Sequence, residues 1–154
     1  MTKILMVCLG NICRSPLAEG ILSSLSNQKK IFVDSAGTSA YHVGELPDVR
    51  SIEIAKINGI DITNQRSRQF KIKDFDNFDL IYVMDKSNFK NLRKLARNNN
   101  DIIKIKLILN ELYPTQNLDV PDPYYSGDNG FRDVFKMLKN SCEIIIYNIN
   151  ENKR

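Results

Sequence analysis

Apolar runs of five to seven residues alternate with stretches in which apolar positions recur every three or four. The run KILMV at 3–7 is bounded by turn-forming sequence and rich in strand formers, as are IFVDS at 31–35, FDLIYVM at 78–84 and IIKIKLI at 102–108. Each reads as a buried strand. Between the first two, Leu17, Ile21, Leu25 and Gln28 follow helical spacing, and Ile52 and Ala55 mark a second helix that stops at Asn58-Gly59. Near the end, Phe131, Val134, Phe135, Leu138, Cys142, Ile145 and Ile149 form the stripe of a long amphipathic helix. The polar stretch RNNND at 97–101 reads as a loop between helix and strand.

Strands alternating with helices imply βαβ crossovers, whose right-handedness places helices on both faces of a parallel sheet. The expected fold is α/β, an open parallel four-stranded sheet in one domain over residues 1–154, with a ligand loop after the first strand. The length of 154 residues suits a single core. No apolar run approaches the roughly 18 residues that span a bilayer, so no membrane partner is expected. MTKILMV leads at once into polar sequence without the plan of a signal peptide, which points to a cytoplasmic protein. A net charge of +4, scattered along the chain, lacks the basic stripe of a nucleic-acid binder. Three cysteines at 8, 13 and 142 make no disulfide framework and leave thiols available for chemistry.

The loop after the first strand, CLGNICRS, holds the densest chemistry. Ser15-Pro16 reads as a helix start, serine as cap and proline at the first helical position. The loop thus feeds a helix N-terminus, with its free amides and partial positive charge. Gly10 and Asn11 tolerate left-handed backbone, so the amides of Leu9, Gly10, Asn11, Ile12 and Cys13 can turn inward as a nest for an oxyanion. Arg14 adds a two-pronged donor suited to phosphate. A thiol at Cys8 in this field is expected to ionise readily, making it a nucleophile inside a phosphate cradle. The nucleotide-binding pattern G-x-x-x-x-G-K-[ST] is absent, and one histidine without clustered cysteines gives no zinc site. Neither a metal nor a cofactor is expected.

VCLGNICRSPLAEG resembles the active-site loop of the low-molecular-weight protein tyrosine phosphatases, Cys, five residues, Arg, Ser or Thr, then Pro. DSAGTS at 34–39, GELPDVRS at 44–51, RSRQF at 66–70, FDLIYVMDKSN at 78–88 and DPYY at 122–125 match in family order. The resemblance implies that Cys8 attacks phosphorus, that Arg14 and the loop amides hold the phosphoryl oxygens, and that Ser15 donates to the thiolate. It implies Asp122 as general acid and then base, in a backbone restricted by Pro121 and Pro123. It also implies that Asn11, supported by Ser35, keeps the loop in shape. Tyr41, Tyr124 and Tyr125 would wall a pocket deep enough for phosphotyrosine and too deep for phosphoserine. Many relatives carry a histidine where this chain has Gln65, an amide that would have to support the loop asparagine without a charge. By the same resemblance Cys13 would form a reversible disulfide with Cys8.

The expected partners are tyrosine-phosphorylated proteins or small aryl phosphates, with inorganic phosphate as product. Three alternatives share the scaffold. Arsenate reduction needs a resolving cysteine pair, and none lies between Cys13 and Cys142. Phosphoarginine hydrolysis goes with threonine where this chain has Ile12. A noncatalytic phosphate-binding or redox-sensing module would have no use for Asp122. His42 reads as an exposed loop residue, Cys142 as core, and Asp85 as a cap or a ligand to loop amides.

Overall fold

The structure is a computed structural model that describes residues 1–125 and 127–151; for Tyr125, Gly127 and Asp128 it describes the backbone alone. Four parallel strands, β1 (Thr2–Cys8), β2 (Ile31–Gly37), β3 (Leu80–Val83) and β4 (Ile105–Leu107), stand in the order β2-β1-β3-β4. Helices α1 (Arg14–Leu25), α2 (Val49–Ile57), α3 (Asp74–Asn77), α4 (Lys86–Leu95), α5 (Asn99–Lys104) and α6 (Gly127–Asn150) connect and cover them. The strand order reverses beside β1, and this places a crevice at the carboxyl ends of the central strands.

The apolar run in β1 is continuous because both of its faces are buried. Ile4 and Met6 pack with Leu17 and Ile21 of α1 and with Val134, Leu138 and Cys142 of α6. Leu5 and Val7, pointing the other way, pack with Phe70, Phe75 of α3, Ile81 and Val83 of β3, and Leu92 of α4. The period-2 alternation of a strand thus serves two cores, and the expected cover on both faces is present. Among the described residues no helix is long and apolar enough to cross a membrane.

Three local expectations are corrected. The polar stretch at 97–101 is loop only at Arg97 and Asn98, because Asn98 caps α5 by accepting from the Asp101 amide at 3.0 Å. This cap draws Ile102 and Ile103 into helix despite their strand propensity, and β4 shortens to Ile105–Leu107. The first helix ends at Leu25 rather than near Gln28, since Asn27 turns the chain by accepting from Lys29 and Lys30. Finally, Ser15 does not cap α1: the helix already begins at Arg14, no side chain caps it, and Pro16 stands in its first turn.

The end of β2 sets the position of the loop after β1. Gly37 pairs with Cys8, and a Cβ there would stand 2.8 Å from the Leu9 carbonyl oxygen and 3.1 Å from the Asn11 amide nitrogen. Both are backbone atoms without freedom to move aside. Gly37→Ala is therefore expected to cost about 1–3 kcal/mol, read as a lower thermal midpoint, and to reduce turnover beyond that loss by displacing the loop.

Candidate active site

The loop from Cys8 to Cys13 is held by its carbonyls. Cys8 and Leu9 accept from the Thr38 and Ser39 amides, both at 2.9 Å, and Ile12 accepts from the Asp48 amide at 2.7 Å. Gly10 accepts from Ser67 Oγ at 3.0 Å and Cys13 from Ser51 Oγ at 3.3 Å. With these carbonyls drawn outward into the scaffold, the intervening N–H groups are turned toward the centre of the loop. α1 continues the same curve, and no capping side chain claims its first amides.

Asn11 locks the bend. Its φ is 57°, in the left-handed region where asparagine is one of the few tolerated side chains. Its Nδ2 donates to Ser15 Oγ at 2.8 Å and Ser35 Oγ at 3.0 Å, while its Oδ1 accepts from the Arg68 amide at 3.0 Å. The buried side chain is fully bonded. Ser15 Oγ, freed from capping, stands 3.0 Å from Cys8 Sγ, and the Asn11 amide donates to the same sulfur at 3.3 Å.

Arg14 is buried and reaches the site with a fixed guanidinium. Its Nη1 donates to Asp85 Oδ2 at 2.7 Å and to the Val120 carbonyl at 3.0 Å, and its Nη2 lies 3.7 Å from Asp122 Oδ2. Burial works against its charge, but the sulfur of Cys8 and the carboxylates of Asp85 and Asp122 outweigh this and hold it above its ordinary value. Asp85 does double duty, since its other oxygen caps α4 on the Asn88 amide at 2.8 Å within a reciprocal capping box. Asp122 is more exposed, and its Oδ1 accepts from the Tyr124 amide at 3.0 Å.

These groups line a cavity of about 190 Å³ with Cys8, Arg14 and Cys13 at its base and Asp122, Tyr124 and His42 around it. A larger cavity of about 550 Å³ beside β4 is lined by Phe89, Ile105 and Leu107 but holds no nucleophile. Of the expected wall, Tyr124 is in place. Its ring lies 5.3 Å from the Arg50 guanidinium, which also covers Phe131 of α6 at 4.6 Å and is paired with Asp48. The side chain of Tyr125 lies outside the described residues.

Tyr41 is a correction: it is 87% exposed and does not line the cavity. His42 takes that place instead of standing out in solvent, with Nδ1 2.9 Å from Glu45 Oε2 and its ring against Gly10. Gln65 is a second correction. Its Nε2 donates to the Pro16 carbonyl at 3.1 Å and not to Asn11, whose acceptor is taken by Arg68. Gln65 Oε1 is buried and has no hydrogen-bond partner among the described residues.

All three cysteines are free thiols. Burial, reinforced by Asp48, Cys8 and Asp122, pushes the Cys13 thiol up to about 12, and burial pushes Cys142 up as well. Neither is a nucleophile near neutrality. Among the described residues no three His, Cys, Asp or Glu side chains gather as a cation site. Sequence reasoning did not find the Asp85–Arg14 pair, nor Ser67, Ser51 and Asp48 as loop anchors, although all stand in or beside the matched segments.

A sequence model of the low molecular weight phosphotyrosine protein phosphatases matches residues 3–154. The chain belongs to that family. It is 44% identical over 144 residues to a putative low molecular weight protein-tyrosine-phosphatase of Synechocystis, covering 91% of each chain. The crystal structure of YfkJ from Bacillus subtilis superposes with a TM-score of 0.90 at 39% identity, over 100% of this chain and 98% of that one. The crystal structure of DARP, described as a drosophila arginine phosphatase, superposes at 0.88 with 33% identity, over 96% of this chain and 98% of that one. The scaffold is thus shared by proteins described with different leaving groups, and the pocket walls must carry the argument about substrate.

The Arg14–Asp85 pair is testable apart from the cap. Asp85→Asn keeps an acceptor for the Asn88 amide and should lose mainly the charge-assisted bond that aims the Arg14 guanidinium, lowering kcat for aryl phosphates while the stability given by the cap is kept. Asp85→Ala removes the cap too and should cost about 2–4 kcal/mol of stability in denaturant unfolding.

Proposed function

We propose that this protein, acting as a single catalytic domain over residues 1–154, hydrolyses protein phosphotyrosine and small aryl phosphates without a metal. The observation that supports the reading is that one small cavity is lined both by Cys8, its Sγ bonded to Ser15 and the Asn11 amide, and by Asp122, 3.7 Å from Arg14. The phosphoryl oxygens are held by the inward amides of Leu9 to Arg14 and by the Arg14 guanidinium, donors fixed where negative charge spreads in the transition state. Cys8 thiolate attacks phosphorus in line, the S–P bond forms, and the P–O bond to the ring breaks as Asp122 delivers its proton to the departing phenolate.

The second step runs in reverse sense. Asp122, now a carboxylate, takes a proton from water, the oxygen attacks phosphorus, and the S–P bond breaks to release inorganic phosphate. Ser15, donating to sulfur, stabilises the leaving thiolate. Cys13, held protonated, does not compete for phosphorus.

Substrate class follows from the wall. Tyr124, backed by Arg50 and Phe131, offers a rigid apolar face on one side of the cavity, and His42 closes another. A phosphotyrosine ring fits between such walls, whereas the short phosphoserine side chain does not bring its phosphorus to Cys8. Tyr41, by its position, belongs to the outer surface that meets the surrounding peptide. Against arsenate reduction, Cys142 is fully buried, with its Sγ donating to the Ala18 carbonyl, and offers no accessible resolving thiol.

Cys8→Ser should abolish release of phosphate from phosphotyrosine, phosphoserine and phosphoarginine alike, while EDTA leaves the native protein's activity on phosphotyrosine, its best substrate, unchanged. Full activity in that variant, or a preference for phosphoarginine, would refute the assignment. Asp122→Ala should lower kcat for phenyl phosphate by about a hundredfold or more and much less for an ester of a nitrophenol. A slowing independent of leaving-group pKa would remove Asp122 from the acid role.

A further inference from the structure

Behind the catalytic loop lies a carboxyl group that the proposed reaction leaves unused. Glu19, in the second turn of α1, has Oε1 2.6 Å from Ser35 Oγ. That hydroxyl in turn accepts from Asn11 Nδ2, whose second hydrogen goes to Ser15 Oγ, beside Cys8 Sγ. Because the Asn11 amide supplies the donors to both serines, the Ser35 hydrogen is left for Glu19 and the Ser15 hydrogen for sulfur. One uninterrupted series of hydrogen bonds therefore links a half-buried carboxyl to the nucleophile.

The surroundings of Glu19 do not favour a negative charge. The charged groups that face it are Asp34 of β2, which opposes ionisation, and Arg68 of the segment after α2, which favours it. Arg68 is already shared between Asp34 at 3.1 Å and Asp74 at 3.0 Å, so little of its charge remains for a third carboxylate. Gln65, nearby on the same segment, is neutral and turns its amide donor to Pro16. Burial is the largest influence and raises the Glu19 carboxyl to about 7, against the lowering by its Ser35 bond.

We propose that Glu19 is a positioning residue that couples proton uptake behind the loop to oxyanion binding in front of it, acting through Ser35, Asn11 and Ser15. The proposal rests on the reading of the loop as an anion cradle. The neutral carboxyl leaves the donor field of the loop intact. The ionised one sets a negative charge at the far end of the hydrogen-bond series and opposes a bound anion. Linkage makes the effect reciprocal: an anion in the loop raises the affinity of Glu19 for its proton, and a rise in pH through neutrality weakens the anion. The substrate phosphoryl group would feel the same dependence.

Sulfate is a suitable probe because its charge does not change near neutrality, so its competitive inhibition of aryl phosphate hydrolysis reports only the protein's titration. From about pH 6 to pH 8, sulfate inhibition of the wild type should weaken roughly three- to tenfold more than that of Glu19→Gln, which keeps the shape and an acceptor for Ser35. Superimposable profiles would overturn the proposal. Should Glu19→Gln not fold, carbon NMR of the Glu19 carboxyl in the native protein provides the second measurement. Its titration midpoint should rise when sulfate saturates the loop, and an unmoved midpoint overturns the coupling. Sulfate that fails to inhibit the wild type at any pH would instead overturn the anion-cradle reading itself, and this proposal with it.

Discussion

The outward anchoring of the loop carbonyls between Cys8 and Cys13 is the constraint on which the rest of this site depends. A peptide unit that turns its carbonyl into the scaffold must turn its N–H the other way, so five outward bonds produce an inward ring of donors. Each bond adds only about 1 kcal/mol net to stability. Their joint directional effect is far larger, because it fixes donors before any charge arrives and removes the need to reorganise during reaction. Two residues make the bend possible: Gly37, which lets the end of β2 approach the loop backbone, and Asn11, which accepts the left-handed turn and ties it to three partners.

The two carboxylates around Arg14 divide their work by distance and exposure. Asp85 is the nearer and more buried, and its simultaneous capping of α4 gives it no freedom. It holds the guanidinium and fixes its direction. Asp122 is farther, more exposed and on a proline-bounded segment, and only its Oδ2 edge faces the guanidinium while Oδ1 accepts from the Tyr124 amide. The strand order sets the end of β3, and Asp85 after it, beside the end of β1, while the Val120 amide, donating to the Met84 carbonyl at 2.8 Å, brings the segment of Asp122 to the same cation.

Support for the loop in this chain is also a matter of charge. Where many relatives carry a histidine, Gln65 brings no positive charge and bonds to Pro16. Asn11 is held instead by Ser15, Ser35 and the backbone of Arg68, and behind Ser35 stands Glu19. Tyr124 is likewise tied to the loop: Arg50 spans Tyr124, Phe131 and Asp48, and the Asp48 amide anchors Ile12.

Contiguous residues were enough for three of the four strands, the long last helix, and a loop whose Cys8, Gly10, Asn11 and Arg14 carry their chemistry in their own spacing. Asp122 was legible because its flanking prolines and tyrosines form a compact signal of their own. Choices between partners distant in the chain were settled by packing. Asp85 pairs with Arg14 across 71 positions, His42 rather than Tyr41 lines the cavity, and Gln65 takes Pro16 while Arg68 takes Asn11. Ser15 is the plainest case, since its sequence position suits a helix cap and its hydroxyl serves Cys8. A side chain with two competent hydrogen-bond roles is assigned by whichever partner the packed scaffold brings within 3 Å, and that is a property of the folded whole.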